Sequence, residues 1–131
     1  VIVHESRYDD LQKRLVHAYG QVKIGNPLED GILMGPHSQV SPDAKISDNC
    51  IILGGAFIGH DSFMDRFSHV ATNGVIGGSV HIGKGVHIGS NSTILPVTIC
   101  SDVVIGAGSV VTKNIDKPGT YAGNPAMRIK K

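Results

Sequence analysis

Val75-Ile76-Gly77-Gly78-Ser79-Val80-His81-Ile82-Gly83-Lys84-Gly85-Val86-His87-Ile88 decides how this chain folds. Isoleucine returns at 76, 82 and 88, every sixth residue, and Val80 and Val86 each stand two residues before one of them. Outward from there, an aliphatic residue or Met keeps the same phase at Val40, Ile46, Ile52, Ile58, Met64, Val70, Ile76, Ile82, Ile88 and Ile94. With 40% hydrophobic residues, chance would fill about four of those ten positions. After Ile94 the phase slips by one residue and then resumes at Ile99, Ile105 and Val111. A second series, two residues earlier in each hexad, is small or β-branched: Ala44, Cys50, Ala56, Ser62, Ser68, Gly74, Val80, Val86, Ser92, Val97, Val103 and Ser109. Glycine often follows the aliphatic position, at Gly59, Gly77, Gly83, Gly89 and Gly106.

A period of six is neither the 3.6 of an α-helix nor the 2 of an ordinary strand. It fits a short strand and a tight turn, repeated as one wall of a three-walled solenoid. The aliphatic residue fills the interior, and the small residue fits where the wall bends. Glycine is expected to supply the positive φ of a tight corner. Each coil buries its faces only against its neighbours, so stacking supplies the stability. A two-layer β protein is disfavoured, because its turns are spaced longer and less regularly. The sequence thus predicts a mainly β chain, a parallel β-helix of about four coils.

Composition narrows the function. The 131 residues make room for one domain and no second large one. Glycine is 17 of them, Trp is absent, and Phe and Tyr number three each, so an aromatic core is not expected. Twelve Lys and Arg against 11 Asp and Glu argue against nucleic acid as a main partner. No apolar run approaches the ~18 residues of a membrane span. The start, Val1-Ile2-Val3-His4-Glu5, turns charged at once and lacks a signal-peptide pattern. The two cysteines make no disulfide framework and fit a reducing cytoplasm. On stacked strands ~4.8 Å apart, Cys50 and Cys100 would lie about 13 Å from each other, beyond a ~7 Å disulfide limit.

Ile58-Gly59-His60-Asp61, Phe67-Ser68-His69-Val70, the run from Ile105 to Lys113, and Tyr121-Ala122-Gly123-Asn124-Pro125-Ala126 resemble the hexapeptide-repeat acyltransferases. The nearest likeness is to sialic-acid and amino-sugar acetyltransferases of the NeuD/PglD type, over roughly residues 38–131. The resemblance implies a left-handed parallel β-helix, assembly as a homotrimer, and acetyl transfer from acetyl-CoA to an amine or hydroxyl of a sugar or nucleotide sugar. Leu95-Pro96-Val97-Thr98-Ile99-Cys100 departs from it, being one residue short of the usual turn. The sequence also does not include the N-terminal nucleotide-binding domain of family members.

Residues 1–37 lack the hexad. Val1-Ile2-Val3 reads as a strand, and Ser6 suits the cap of a helix from about Arg7 to Tyr19, with Gly20 as its stop. Val22-Lys23-Ile24 reads as a second strand before the turn Gly25-Asn26-Pro27. His4-Glu5-Ser6, the stretch from Val22 to Leu28, and Met34-Gly35-Pro36 resemble a segment of antiquitin-type aldehyde dehydrogenases. That segment lacks the nucleophilic Cys of those enzymes, so dehydrogenase activity is not implied. Residues 1–37 are expected to serve as a short helical cap or appendage, and residues 38–131 to form the β-helix and its tail.

His60 is the main chemical candidate. It follows Gly59 at a corner, and its imidazole can accept a proton at neutral pH. Asp61 is placed to orient or polarise that ring. Gly78 stands one coil above His60, where its N–H is a candidate oxyanion donor. His69 and His87, eighteen residues apart, should stack on one wall. By resemblance, His69 contacts the acetyl donor across a subunit interface, and Ser90 and Ala107 meet the pantetheine arm. Lys113, Arg128, Lys130 and Lys131 are candidates for the coenzyme A phosphates. Zinc is not expected, because the close pair His81 and His87 misses the spacing of the three-histidine β-helix site. The rival reading is a non-catalytic trimeric scaffold.

Overall fold

A large aliphatic at every sixth position makes the chain turn a corner at every sixth position, and the structure shows the result. It is a computed structural model and describes residues 12–13 and 31–129. The first coil is β1 (Ile32–Met34), β2 (Gln39–Val40) and β3 (Lys45–Ile46). The second is β4 (Cys50–Ile52), β5 (Phe57–Ile58) and β6 (Phe63–Met64), and the third β7 (His69–Val70), β8 (Val75–Ile76) and β9 (His81–Ile82). The fourth is β10 (His87–Ile88), β11 (Thr93–Ile94) and β12 (Thr98–Ile99). The fifth has β13 (Val103–Ile105), β14 (Val110–Val111) and the bridge of Ile115 to Ile99. A terminal hairpin, β15 (Gly119–Ala122) and β16 (Met127–Arg128), pairs onto β13.

Every third strand joins the same sheet, so three parallel walls form. The first wall carries β1, β4, β7, β10 and β13, the second β2, β5, β8, β11 and β14, and the third β3, β6, β9 and β12. Inward side chains stack directly: Ile58 on Ile76 and Ile76 on Ile94 in the second wall, Met64 on Ile82 and Ile82 on Ile99 in the third. All of them are buried in one continuous column.

There are five coils, one more than the sequence predicts. Met34 pairs in register with Ile52 and stands six residues before Val40, in phase with the series. The likeness of Met34-Gly35-Pro36 to the dehydrogenase segment hides that phase, since it groups Met34 with residues 1–37. The predicted strands and helix of residues 1–24 lie outside the described residues, except that Gln12 and Lys13 are helical.

The corners correct a second expectation. Outside the Pro96 corner, the left-handed backbone falls three residues before the inward aliphatic, at Asp43, Asn49, Asp61, Asn73, Asn91 and Asp102 among others with φ between 56° and 61°, and at Gly55, Gly85 and Gly108 with φ between 67° and 70°. Short polar side chains tolerate that region by bonding locally. The glycines that follow the aliphatic positions do a different job. A Cβ on Gly59 would lie 2.5 Å from the Gly77 carbonyl, and one on Gly83 or Gly89 would lie 2.6 Å from a backbone nitrogen of the next coil. These glycines let neighbouring coils close to strand distance.

Buried serines tie the corners together. Ser68 Oγ donates to Gly83 O at 2.9 Å and accepts from Val86 N–H at 3.2 Å. Ser62 does the same with Gly77 O and Val80 N–H. The small series therefore also satisfies polar backbone that would otherwise be buried without partners.

The corner Leu95-Pro96-Val97 is one residue short, as the phase slip requires. Phe63 pairs with His81 eighteen residues on, whereas His81 pairs with Thr98 seventeen residues on. Proline fixes φ near about −65°, so Pro96 cannot take the left-handed conformation and this corner turns without it.

Candidate functional site

The corner between the second and third walls of the second coil presents His60 and Asp61. Adjacent side chains usually point apart, but Asp61 takes the left-handed backbone with φ 56°. Its carboxylate thereby turns back onto the preceding ring, with Asp61 Oδ2 2.7 Å from His60 Nδ1. A carboxylate only accepts, so Nδ1 donates, and in the neutral ring Nε2 is then the nitrogen that carries the lone pair. Both side chains are open to solvent, at 67% and 61% exposure. The backbone is pinned on both sides: Ser79 N–H donates to His60 O at 2.8 Å, and Asp61 N–H to Pro42 O at 3.4 Å. Gly78, one coil on, lies against the imidazole. Among the described residues its N–H has no hydrogen-bond partner. The imidazole and the Gly78 backbone therefore sit side by side.

The other predicted residues lie elsewhere on the prism. His69 and His87 point outward from the first wall in direct register. Their rings meet edge to face, with centroids 4.6 Å apart. Ser90 and Ala107 occupy successive coils at the corner between the first and second walls, where Gly108 N–H bonds Ser90 O at 2.8 Å. Lys113 is exposed at the corner between the second wall and the third, in the same column as Gly78. One chain thus holds two groups, His60, Asp61, Gly78 and Lys113 at one edge and His69, Ser90 and Ala107 around another. The breadth of the second wall separates them.

His69 Nε2 is buried and has no hydrogen-bond partner among the described residues. Burial, reinforced by the charge of His87, holds the His69 pKa below its ordinary 6.5. The folded chain therefore binds this proton less readily than the unfolded chain does. The stability His69 contributes is present above the ordinary value and is lost as pH falls through the folded pKa. Thermal melts from about pH 7.5 to about pH 5 should show that loss. His69→Asn should flatten the slope, and an unchanged slope would contradict the assignment.

The two cysteines are free. Burial pushes the Cys50 thiol above its ordinary value, and Sγ donates to Asp65 O at 3.2 Å. His81 stacks on Phe63 on the third wall, while His87 projects from the first, so the two do not converge. Among the described residues no three His, Cys, Asp or Glu side chains form a metal-holding group.

Phe67 stands within one of the quoted motifs, but sequence reasoning gives it no role of its own. It adopts the left-handed conformation at φ 60° while 52% exposed, with Arg66 and Lys84 each 5.5 Å from its ring centroid. The signal was available, since most corners put a short polar residue or glycine at this position.

Comparison with known proteins agrees with the repeat. The hexapeptide repeat of succinyl-transferase matches residues 79–113. The mitochondrial UDP-3-O-acylglucosamine N-acyltransferase 2 of Arabidopsis thaliana is 34% identical over 109 residues, which is 82% of this chain and 36% of that protein. An aldehyde dehydrogenase family 7 member A1 homolog of Dictyostelium discoideum is 58% identical over 40 residues, 30% of this chain and 8% of that protein. The chain spans only these minor shares of the curated relatives it matches.

Solved structures share the fold. PerB of Caulobacter crescentus, solved with CoA and GDP-perosamine, superposes with a TM-score of 0.61 at 19% identity, covering 98% of this chain and 68% of that one. The acetyltransferase domain of PglB of Neisseria gonorrhoeae gives 0.59 at 22% identity, covering 92% and 66%.

Proposed function

We propose that this chain, which carries the hexapeptide repeat of the acyltransferases, is itself an acetyltransferase. It would move an acetyl group from acetyl-CoA to an amine or hydroxyl of a sugar or nucleotide sugar. The carrying observation is the 2.7 Å pair of His60 Nδ1 and Asp61 Oδ2, with Gly78, whose N–H has no partner among the described residues, against the ring.

The chemistry follows from those atoms. The acceptor nitrogen or oxygen attacks the thioester carbonyl carbon, and His60 Nε2 takes its proton. Asp61 holds the ring tautomer and stabilises the imidazolium. Gly78 N–H donates to the oxyanion of the tetrahedral intermediate. The C–S bond then breaks, the carbonyl re-forms, and the thiolate takes the proton back from the imidazolium. No group is left changed.

His69, Ser90 and Ala107 lie too far around the prism to serve that corner in one chain. The proposal therefore uses a homotrimer in which the His60 edge of one copy faces the His69 wall of the next. The outward ladder of that wall, Leu33, Ile51, His69, His87 and Val104, is largely apolar, as a buried subunit face requires. Lys113 and Arg128 are assigned to the coenzyme A phosphates. The nucleotide-sugar class rests on the likeness to PerB, and a cytoplasmic site on the coenzyme. Among the described residues no helix is long and apolar enough to cross a membrane.

Coenzyme A should raise the melting temperature. A ligand at a hundred times its Kd adds about 2.7 kcal/mol, several degrees for a chain this size. No shift at millimolar coenzyme A would favour the scaffold reading.

A further inference from the structure

We infer that Gly78 is a positioning residue for His60: its missing side chain is what lets the imidazole reach Asp61. The inference deepens the proposed reaction and rests on it.

Gly78 stands two residues after an inward aliphatic. Other members of that position carry side chains, among them Asp48, Thr72, Lys84, Ser90, Ala107 and Lys113. The position itself does not demand glycine. Nor does the backbone at this residue, because Gly78 does not take a positive φ.

Close stacking of coils is not the reason either. A Cβ on Gly59, Gly83 or Gly89 would strike backbone. A Cβ on Gly78 would meet ring atoms instead: His60 Nε2 at 2.5 Å, Cε1 at 2.7 Å and Cδ2 at 3.0 Å. The imidazole occupies the space a side chain would fill.

The ring is therefore held at two edges. Nδ1 bonds the carboxylate on its own coil, and the Nε2 edge rests on Gly78 of the next. Little else confines a side chain that is 67% exposed. Any side chain at 78 tilts the ring off this floor and breaks the Nδ1 bond, since the backbone of His60 is fixed by Ser79 N–H.

Gly78→Ala separates this role from oxyanion donation, because alanine keeps the amide. In 15N-labelled protein, with the His60 resonances identified by their loss in His60→Ala, wild type should show a single Nδ1-protonated tautomer. Gly78→Ala should show averaged tautomers at an unchanged melting temperature. It should also lower kcat about 100-fold, the cost of a ~1 Å misplacement. Coenzyme A affinity should stay within about twofold, and the substitution should cost nothing further in a His60→Ala background. A wild-type ring pattern in Gly78→Ala would overturn the inference. If wild type turned over no substrate, the transferase reading would fail, while the ring spectra would still decide this one.

Discussion

His60→Ala is expected to lower kcat by about 10²–10⁴-fold, the range carried by a positioned general base. The fold should persist, because the side chain is exposed and its structural hydrogen bonds are made by the backbone. The melting temperature and coenzyme A affinity should therefore hold while turnover falls. Asp61→Asn should be milder yet still severe. It keeps the left-handed corner, which Asn adopts at positions 49, 73 and 91, but presents an amide to Nδ1 in place of an anion. Single-turnover rates at saturating donor are the measurement. A His60→Ala protein with undiminished turnover would remove the imidazole from the mechanism.

Ile88→Ala should show the largest loss of stability. Ile88 is fully buried, stacked between Val70 of β7 and Ile105 of β13. Removing a large aliphatic from a closed core costs about 2–5 kcal/mol, the upper end applying where the site cannot collapse. Here it cannot easily collapse, because hydrogen bonds between coils fix the spacing above and below. In a solenoid each coil rests only on its neighbours, so loosening the fourth coil also weakens the fifth. Urea denaturation gives the value. A cost below ~1 kcal/mol would mean the inward column does not carry the fold.

The hexad could be read because inward positions admit only large aliphatics or Met, and a prism repeats them without exception from Val40 to Ile94. The short corner at Leu95-Pro96-Val97 was legible for the same reason, as a lost residue shifts every later hit. The first coil was not, because Met34 is a single in-phase residue beside Gly35-Pro36-His37. The positive φ expected of corner glycines holds at Gly55, Gly85 and Gly108 but not at the glycines that follow the aliphatic position. A period tells where a glycine stands, and only coordinates show whether φ or a close neighbour requires it. At the site, spacing alone placed Gly78 above His60 and His87 above His69. The bond from His60 to Asp61 depends on the sign of one dihedral, which no pattern of residue types reports. Phe67 received no role of its own because it lies outside both periodic series.

The central claim is that the working site is divided between copies of this chain. Its direct test is to co-assemble His60→Ala and His69→Ala proteins, each inactive alone, by mixing them unfolded and refolding in equal amounts. In a ring of three copies with each site shared by neighbours, about a quarter of the sites regain both histidines, so about a quarter of wild-type turnover should return. If His60 and His69 served a site within one chain, or if either were dispensable, the mixture would match the average of its inactive parents or its parents would not be inactive at all.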